Sequence, residues 1–154
     1  LVLAPVYFER QTVYEGLEAA GFDFAEPAVF SWIGVTMYLT LSAIEATLRT
    51  VAGCAGGTRI VMTYDVPARA LSEIGRTTRD FLTRIVSEMR EPFVSLFEPA
   101  EIETLLRRAG FDEVTQFGPD EAVRTYFPGR SDVRFGGTQR LVIAARKKSR
   151  PDGV

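Results

Sequence analysis

The chain has 154 residues, 46% apolar and 25% charged, with a formal net charge of −2. This is the make-up of one globular domain with a sizeable core, and it gives no reason to expect a nucleic-acid or anionic-membrane partner. A single cysteine, Cys54, excludes a disulfide framework; the absence of histidine excludes Ser–His and Cys–His nucleophile pairs and histidine–zinc sites. No apolar run approaches bilayer length and no signal peptide is visible, so a cytoplasmic location is expected. The chain opens on Leu1, within a strand-like run, which reads as a fragment.

Residues 1–8 read as a short strand, weakened by Pro5. Residues 11–20 read as a helix with Val13, Leu17 and Ala20 on one face, stopped by Gly21 and closed by Phe22. The same stop signal recurs at Leu106-Arg-Arg-Ala-Gly-Phe-Asp112. Residues 28–33 are an apolar run too short for a helix, which reads as a strand buried on both faces. Ser42-Ala-Ile-Glu45 fits a capping box, and Ile44, Leu48, Val51 and Ala52 follow at helical spacing until Gly53. Residues 59–64 are a second buried strand, with Asp65 at its carboxyl end and Pro67 behind it.

The longest helical pattern runs over 68–90. Its apolar stripe is Leu71, Ile74, Thr78, Phe81, Leu82, Ile85 and Met89, and Glu91-Pro92 ends it. Pro99 opens a helix that buries Ile102, Leu105, Leu106 and Ala109. A strand at 112–117, a short helix at 119–126, a loop at 128–137 and a strand at 138–146 complete one domain, residues 1–146. Residues 147–154 are a polar tail. Alternating strands and helices imply the α/β class, a mostly parallel sheet with helices on both faces.

Three stretches carry a resemblance. Phe30-Ser-Trp-Ile-Gly-Val-Thr-Met-Tyr-Leu-Thr40 resembles the fourth-strand motif of the leucine carboxyl methyltransferase-like family, more narrowly its actinobacterial S-adenosylmethionine-dependent methyltransferases. Pro5-Val-Tyr-Phe-Glu-Arg-Gln11 is similar to a segment after that family's third strand. Pro92-Phe-Val-Ser-Leu-Phe-Glu-Pro99 resembles a later loop. The resemblance implies the carboxyl-terminal portion of a Rossmann-like methyltransferase fold, with S-adenosyl-L-methionine as cofactor and a small molecule as methyl acceptor. It also implies the strand order 3-2-1-4-5-7-6, with residues 28–33 as the fourth strand.

Ligands in open α/β sheets sit beyond the carboxyl ends of the strands. By the resemblance, the cofactor side comprises Tyr7, Phe8, Ser31, Trp32 and Gly34. Tyr7 stands where the family has an acid that meets adenine, and Ile33 where some relatives carry another. A phenol can accept one hydrogen bond but is uncharged at neutral pH. Tyr38 and Asp65 fall on the substrate side. Each has a plainer alternative: Trp32 and Tyr38 as core aromatics, Tyr7 and Phe8 as edge-strand aromatics, Asp65 as a turn residue before Pro67.

No catalytic residue and no metal ligand can be named. The glycines at 56–57 and at 136–137 precede strands, so neither pair is a cofactor-binding Gly-rich loop. The chemistry implied is O-methyl transfer to a carboxylate or hydroxyl, in a fragment expected to be inactive alone. The rival is a non-enzymatic remnant or interaction module. In the implied order, residues 28–33 lose their neighbour. Either residues 1–6 move in beside them or the edge stays open and invites self-association.

Overall fold

The computed structural model describes residues 1–8, 10–88, 92–135 and 137–148. Helix α1 spans Val13–Ala19, strand β1 Val29–Trp32, helix α2 Leu41–Ala52 and strand β2 Arg59–Asp65. Helices α3 (Glu73–Glu88) and α4 (Pro99–Ala109), strand β3 (Glu113–Phe117), helix α5 (Pro119–Tyr126) and strand β4 (Gln139–Ala145) follow. Met89, and with it the end of the predicted 68–90 helix, lies outside the described residues, as does most of the polar tail.

The four strands form one sheet in the order β1-β2-β4-β3. β1 and β2 are parallel, and β4 is antiparallel to both β2 and β3. Three strands therefore run one way and β4 alone runs back between two of them. In the numbering implied by the resemblance, this is the half 4-5-7-6.

Side chains alternate across each strand. Phe30, Trp32, Ile60, Met62, Tyr64, Val142 and Ala144 share the face that meets Ile44, Leu48 and Val51 of α2 and Ile102 and Leu106 of α4. Each fully buried Ile or Leu there contributes about 1.5–3 kcal/mol of transfer free energy. Tyr64 brings a phenol into this core. It donates to Gln116 Oε1 at 2.8 Å, and burial pushes its pKa up to about 12. On the opposite face, Val29, Ser31, Thr115 and Ile143 stay exposed.

The repeated Gly-Phe stop works the same way twice. Gly21 and Gly110 take φ of +76° and +113°, and the amides of Phe22 and Phe111 donate back to the carbonyls of Leu17 and Leu106. These are the reverse bonds that close a helix on a left-handed glycine. Pro99 stands at the first turn of α4, where its missing N–H costs nothing.

Several expectations need correction. Residues 1–7 form no strand; the carbonyl of Tyr7 instead accepts from the amides of Arg10 and Gln11 in a turn. Residues 1–6 do not move in beside β1, which pairs only with β2 among the described residues and leaves Val29 75% exposed. Thr40, not Ser42, caps α2: its hydroxyl accepts from the amide of Ala43, so Glu45 sits too far along to close a box. Residues 68–70 form a separate short 3-10 turn before α3 begins at Glu73.

The largest correction concerns α3. Its inward face carries Gly75, Arg79 and Val86; of the predicted stripe, Leu71 is buried ahead of the helix and Thr78 and Leu82 are half-buried, but Ile74, Phe81 and Ile85 turn outward. Phe81 is 63% exposed and Ile74 56%. The cause is a buried ion pair. Arg79 Nη2 donates to Asp65 Oδ1 at 2.5 Å, with the two side chains only 6% and 1% exposed. Gln139 Nε2 donates to the other oxygen, Oδ2, at 3.0 Å. The Arg79 guanidinium also lies over the Phe93 ring, 5.2 Å from its centroid. Turning α3 to bury Phe81 and Ile85 would leave the Asp65 carboxylate buried without its counter-charge, held by Gln139 alone, which costs more than exposing apolar side chains.

Two outcomes are expected in urea denaturation. Arg79→Met should cost about 3–5 kcal/mol by stranding Asp65, and the double change Asp65→Leu/Arg79→Met should cost less than the single one; additive losses would contradict the pairing. Gly34 has φ of +72°, and a β-carbon added there would meet nothing within 4 Å, so Gly34→Ala should cost about 1–2 kcal/mol from backbone strain alone.

Candidate functional site

The carboxyl ends of β1 and β2 form a rim that two later segments cross. After Trp32 the chain turns at Gly34, whose amide donates to Thr63 Oγ1 of β2 at 2.8 Å. That bond ties the turn to the neighbouring strand and aims the following 3-10 turn, Thr36–Tyr38, over the end of the sheet. Residues 93–97 then lie across it. The amides of Val94 and Ser95 donate to the carbonyl of Met37, at 2.7 and 3.1 Å. Ser95 Oγ donates to the carbonyl of Leu39 at 2.6 Å, and the amide of Phe97 to the carbonyl of Asp65 at 2.9 Å.

Between this rim and the turn at residues 7–8 lies a cavity of about 490 Å³, lined by Phe8, Tyr38, Leu39, Thr40 and Ser42. Phe8 is half-buried and Tyr38 is 39% exposed. The Tyr38 ring is 5.9 Å from Phe93, which in turn underlies the Arg79 guanidinium. The wall is thus aromatic and aliphatic, with the hydroxyls of Thr40 and Ser42 at the start of α2. Such a mixture of apolar lining and a few polar groups suits a small molecule.

The other expected site residues are dispersed. Tyr7 is 73% exposed, and Ser31 is exposed on the sheet face opposite the core. Trp32 is 8% exposed and packs in the core cluster. Its Nε1, like Thr36 Oγ1, is buried with no hydrogen-bond partner among the described residues. Gly34 stands at the turn that begins the rim. Asp65 is neither a free pocket carboxylate nor a turn residue; both its oxygens are engaged, by Arg79 and Gln139. Two side chains that organise the rim were passed over in the sequence, Arg79 and Thr63. Arg79 could have been found from its spacing, since Gly75, Arg79, Leu82 and Val86 also repeat at helical intervals.

Comparison with known proteins fits this geometry. Residues 1–52 match the sequence model of the leucine carboxyl methyltransferase family. No curated protein matches the chain in sequence. Among solved structures, the chain is similar to the S-adenosylmethionine-dependent methyltransferase SibL, with 16% identity and a TM-score of 0.52 over 87% of this chain and 39% of that one. It is similar to an O-methyltransferase family protein from Burkholderia thailandensis, with 13% identity and a TM-score of 0.52 over 88% and 40% of the two chains. It is also similar to a methyltransferase described as S-adenosylmethionine-dependent from Archaeoglobus fulgidus, with 14% identity and a TM-score of 0.52 over 86% and 64%. The chain spans less than two thirds of the length of each of these structures. The fold is the Rossmann-like methyltransferase fold in part, and its first third carries the leucine carboxyl methyltransferase pattern.

Proposed function

We propose that the chain is part of an S-adenosylmethionine-dependent methyltransferase that methylates an oxygen, carboxylate or hydroxyl, of a small molecule. The observation that carries this reading is the sheet order β1-β2-β4-β3, with β4 reversed, and a cavity at the rim where ligands of such sheets dock. The match of residues 1–52 to the leucine carboxyl methyltransferase family supports it from the sequence side.

The residues at the rim fit the cofactor. Phe8 and Tyr38 offer ring faces for an adenine, and the hydroxyls of Thr40 and Ser42 offer partners for ribose or amino-acid groups. When bound, S-adenosylmethionine supplies a sulfonium methyl group and its own leaving group. The protein's share is then alignment and exclusion of water. Residues 93–97, stitched to Met37, Leu39 and Asp65, hold the rim in place. The turn at Gly34, tied to β2 through Thr63, leads the chain to Tyr38 and the cavity wall.

One observation favours the second reading, an interaction module: the open edge of β1, with Val29 and Ile33 exposed beside unpaired backbone. A single nuclear magnetic resonance titration separates the two. S-adenosylhomocysteine should shift the amides of Gly34, Tyr38 and Ser42 more than NAD does, with weak, millimolar affinity in this chain alone. Equal shifts with NAD, or none at the rim, would contradict the methyltransferase reading. Shifts at Val29–Ser31 that depend only on protein concentration would favour the second reading.

A further inference from the structure

Helices α2 and α4 pack on the same face of the sheet, and their outer sides leave a groove between them. Its wide end is a cavity of about 470 Å³, lined by Leu41 at the start of α2, Leu96 and Phe97 ahead of α4, and Leu105. It continues into a smaller cavity of about 60 Å³, bounded by Glu45, Arg49 and Ala109. Leu105 and Arg108 line both. Leu41 is 49% exposed and Leu96 37%, so the apolar lining meets solvent. Helix α2 separates this groove from the cavity beside Phe8: Ser42 and Ala46 line that cavity, whereas Leu41, Glu45 and Arg49 line the groove.

The charges along the groove have an order. Glu45 and Arg49 pair with each other, 3.5 Å apart. Glu101 lines the wide end, and Arg108 reaches the narrow one. Neither forms an ion pair among the described residues. One oxygen of Glu101 accepts from the amide of Glu98, which leaves its charge unmatched. Both residues belong to α4. Their spacing puts them on one side of the helix, about two turns or roughly 10 Å apart, with Leu105 between them.

We propose that this face is a two-fold interface with a second copy of the chain. A groove that is acidic at one end and basic at the other matches itself when turned end for end. Glu101 of each protomer then meets Arg108 of the partner subunit, and Leu105 falls near the axis. A two-fold dimer requires this kind of contact, the same patch on both subunits. The exposed leucines supply apolar burial at its centre. The two charge pairs lie at the rim, where they add little attraction but fix the register and reject a like charge. The interface does not depend on what the cavity beside Phe8 binds.

Sedimentation velocity of the 154-residue chain over a range of concentrations tests this, and should show a monomer–dimer equilibrium. Arg108→Glu sets carboxylate against carboxylate at both ends and should weaken the dimer on the order of tenfold or more. Glu101→Arg should weaken it likewise; because it also gives up the contact with the Glu98 amide, circular dichroism checks its folding. Mixed in equal amounts, the two variants should dimerise with each other as tightly as the original chain does with itself, since each carries the charges that the other has lost. Leu41→Gln, at an exposed position, should weaken the dimer severalfold and stands in if Glu101→Arg does not fold. Val29→Lys, on the open edge of β1, should leave the dimer unchanged. A monomer at every concentration, a dimer indifferent to Arg108→Glu, a mixture of folded variants no tighter than its parts, or a dimer lost with Val29→Lys would overturn the proposal.

Discussion

The contact between Arg79 and Asp65 decides how the two halves of the chain meet. Asp65 ends the strand that pairs with β1 on one side and β4 on the other. Its carboxylate is taken out of water by two residues later in the sequence, Arg79 of α3 and Gln139 of β4. Once it is buried, its charge must be met, and Arg79 is the side chain that meets it. Helix α3 is oriented by that need. A buried ion pair is a weak source of stability against an apolar replacement but a strong one against its own disruption. Its effect here is one of orientation: it selects which side of an amphipathic helix faces the protein.

Much follows from that choice. The Arg79 guanidinium stacks on Phe93, and Phe93 packs against Tyr38, so the pair reaches the cavity wall in two contacts. On its outer side α3 presents Ile74, Phe81 and Ile85 to solvent. Ile74 then lines a surface cavity with Val133, Arg134 and Phe135.

The elements whose burial is decided locally were legible from the residues. Helix α2 with Ile44, Leu48 and Val51 and α4 with Ile102 and Leu106 follow from periodicity and stop signals, whereas residues 28–33, expected to be buried on both faces, form an edge strand that exposes Val29 and Ser31. The paired Gly-Phe stops were legible down to their left-handed glycines. What failed was settled at a distance. Residues 1–6 have the composition of a strand but no strand beside them to complete a ladder. The stripe on α3 has the right period, yet the partner that turns it lies eight residues before its start, at the end of β2. Among site residues, Phe8 and Tyr38 come together as the motif spacing alone could not have required. Ser31 is carried to the other face by strict strand alternation, and the roles of Asp65 and Gln139 depend on a register between β2 and β4 that spans 74 residues.

The orientation of α3 is the point on which the rest turns, and thiol accessibility measures it directly. The native Cys54 is 2% exposed, and burial raises its pKa, so its background reaction is slow. Single changes Phe81→Cys and Val86→Cys place a thiol on the two sides of the helix. With the helix held by Arg79 and Asp65, the thiol at 81 should react with a maleimide at close to the rate of an unfolded peptide, and the thiol at 86 should be protected. Protection at 81 with free reaction at 86 would mean that the apolar stripe faces inward after all, and the ion pair would not be what orients the helix.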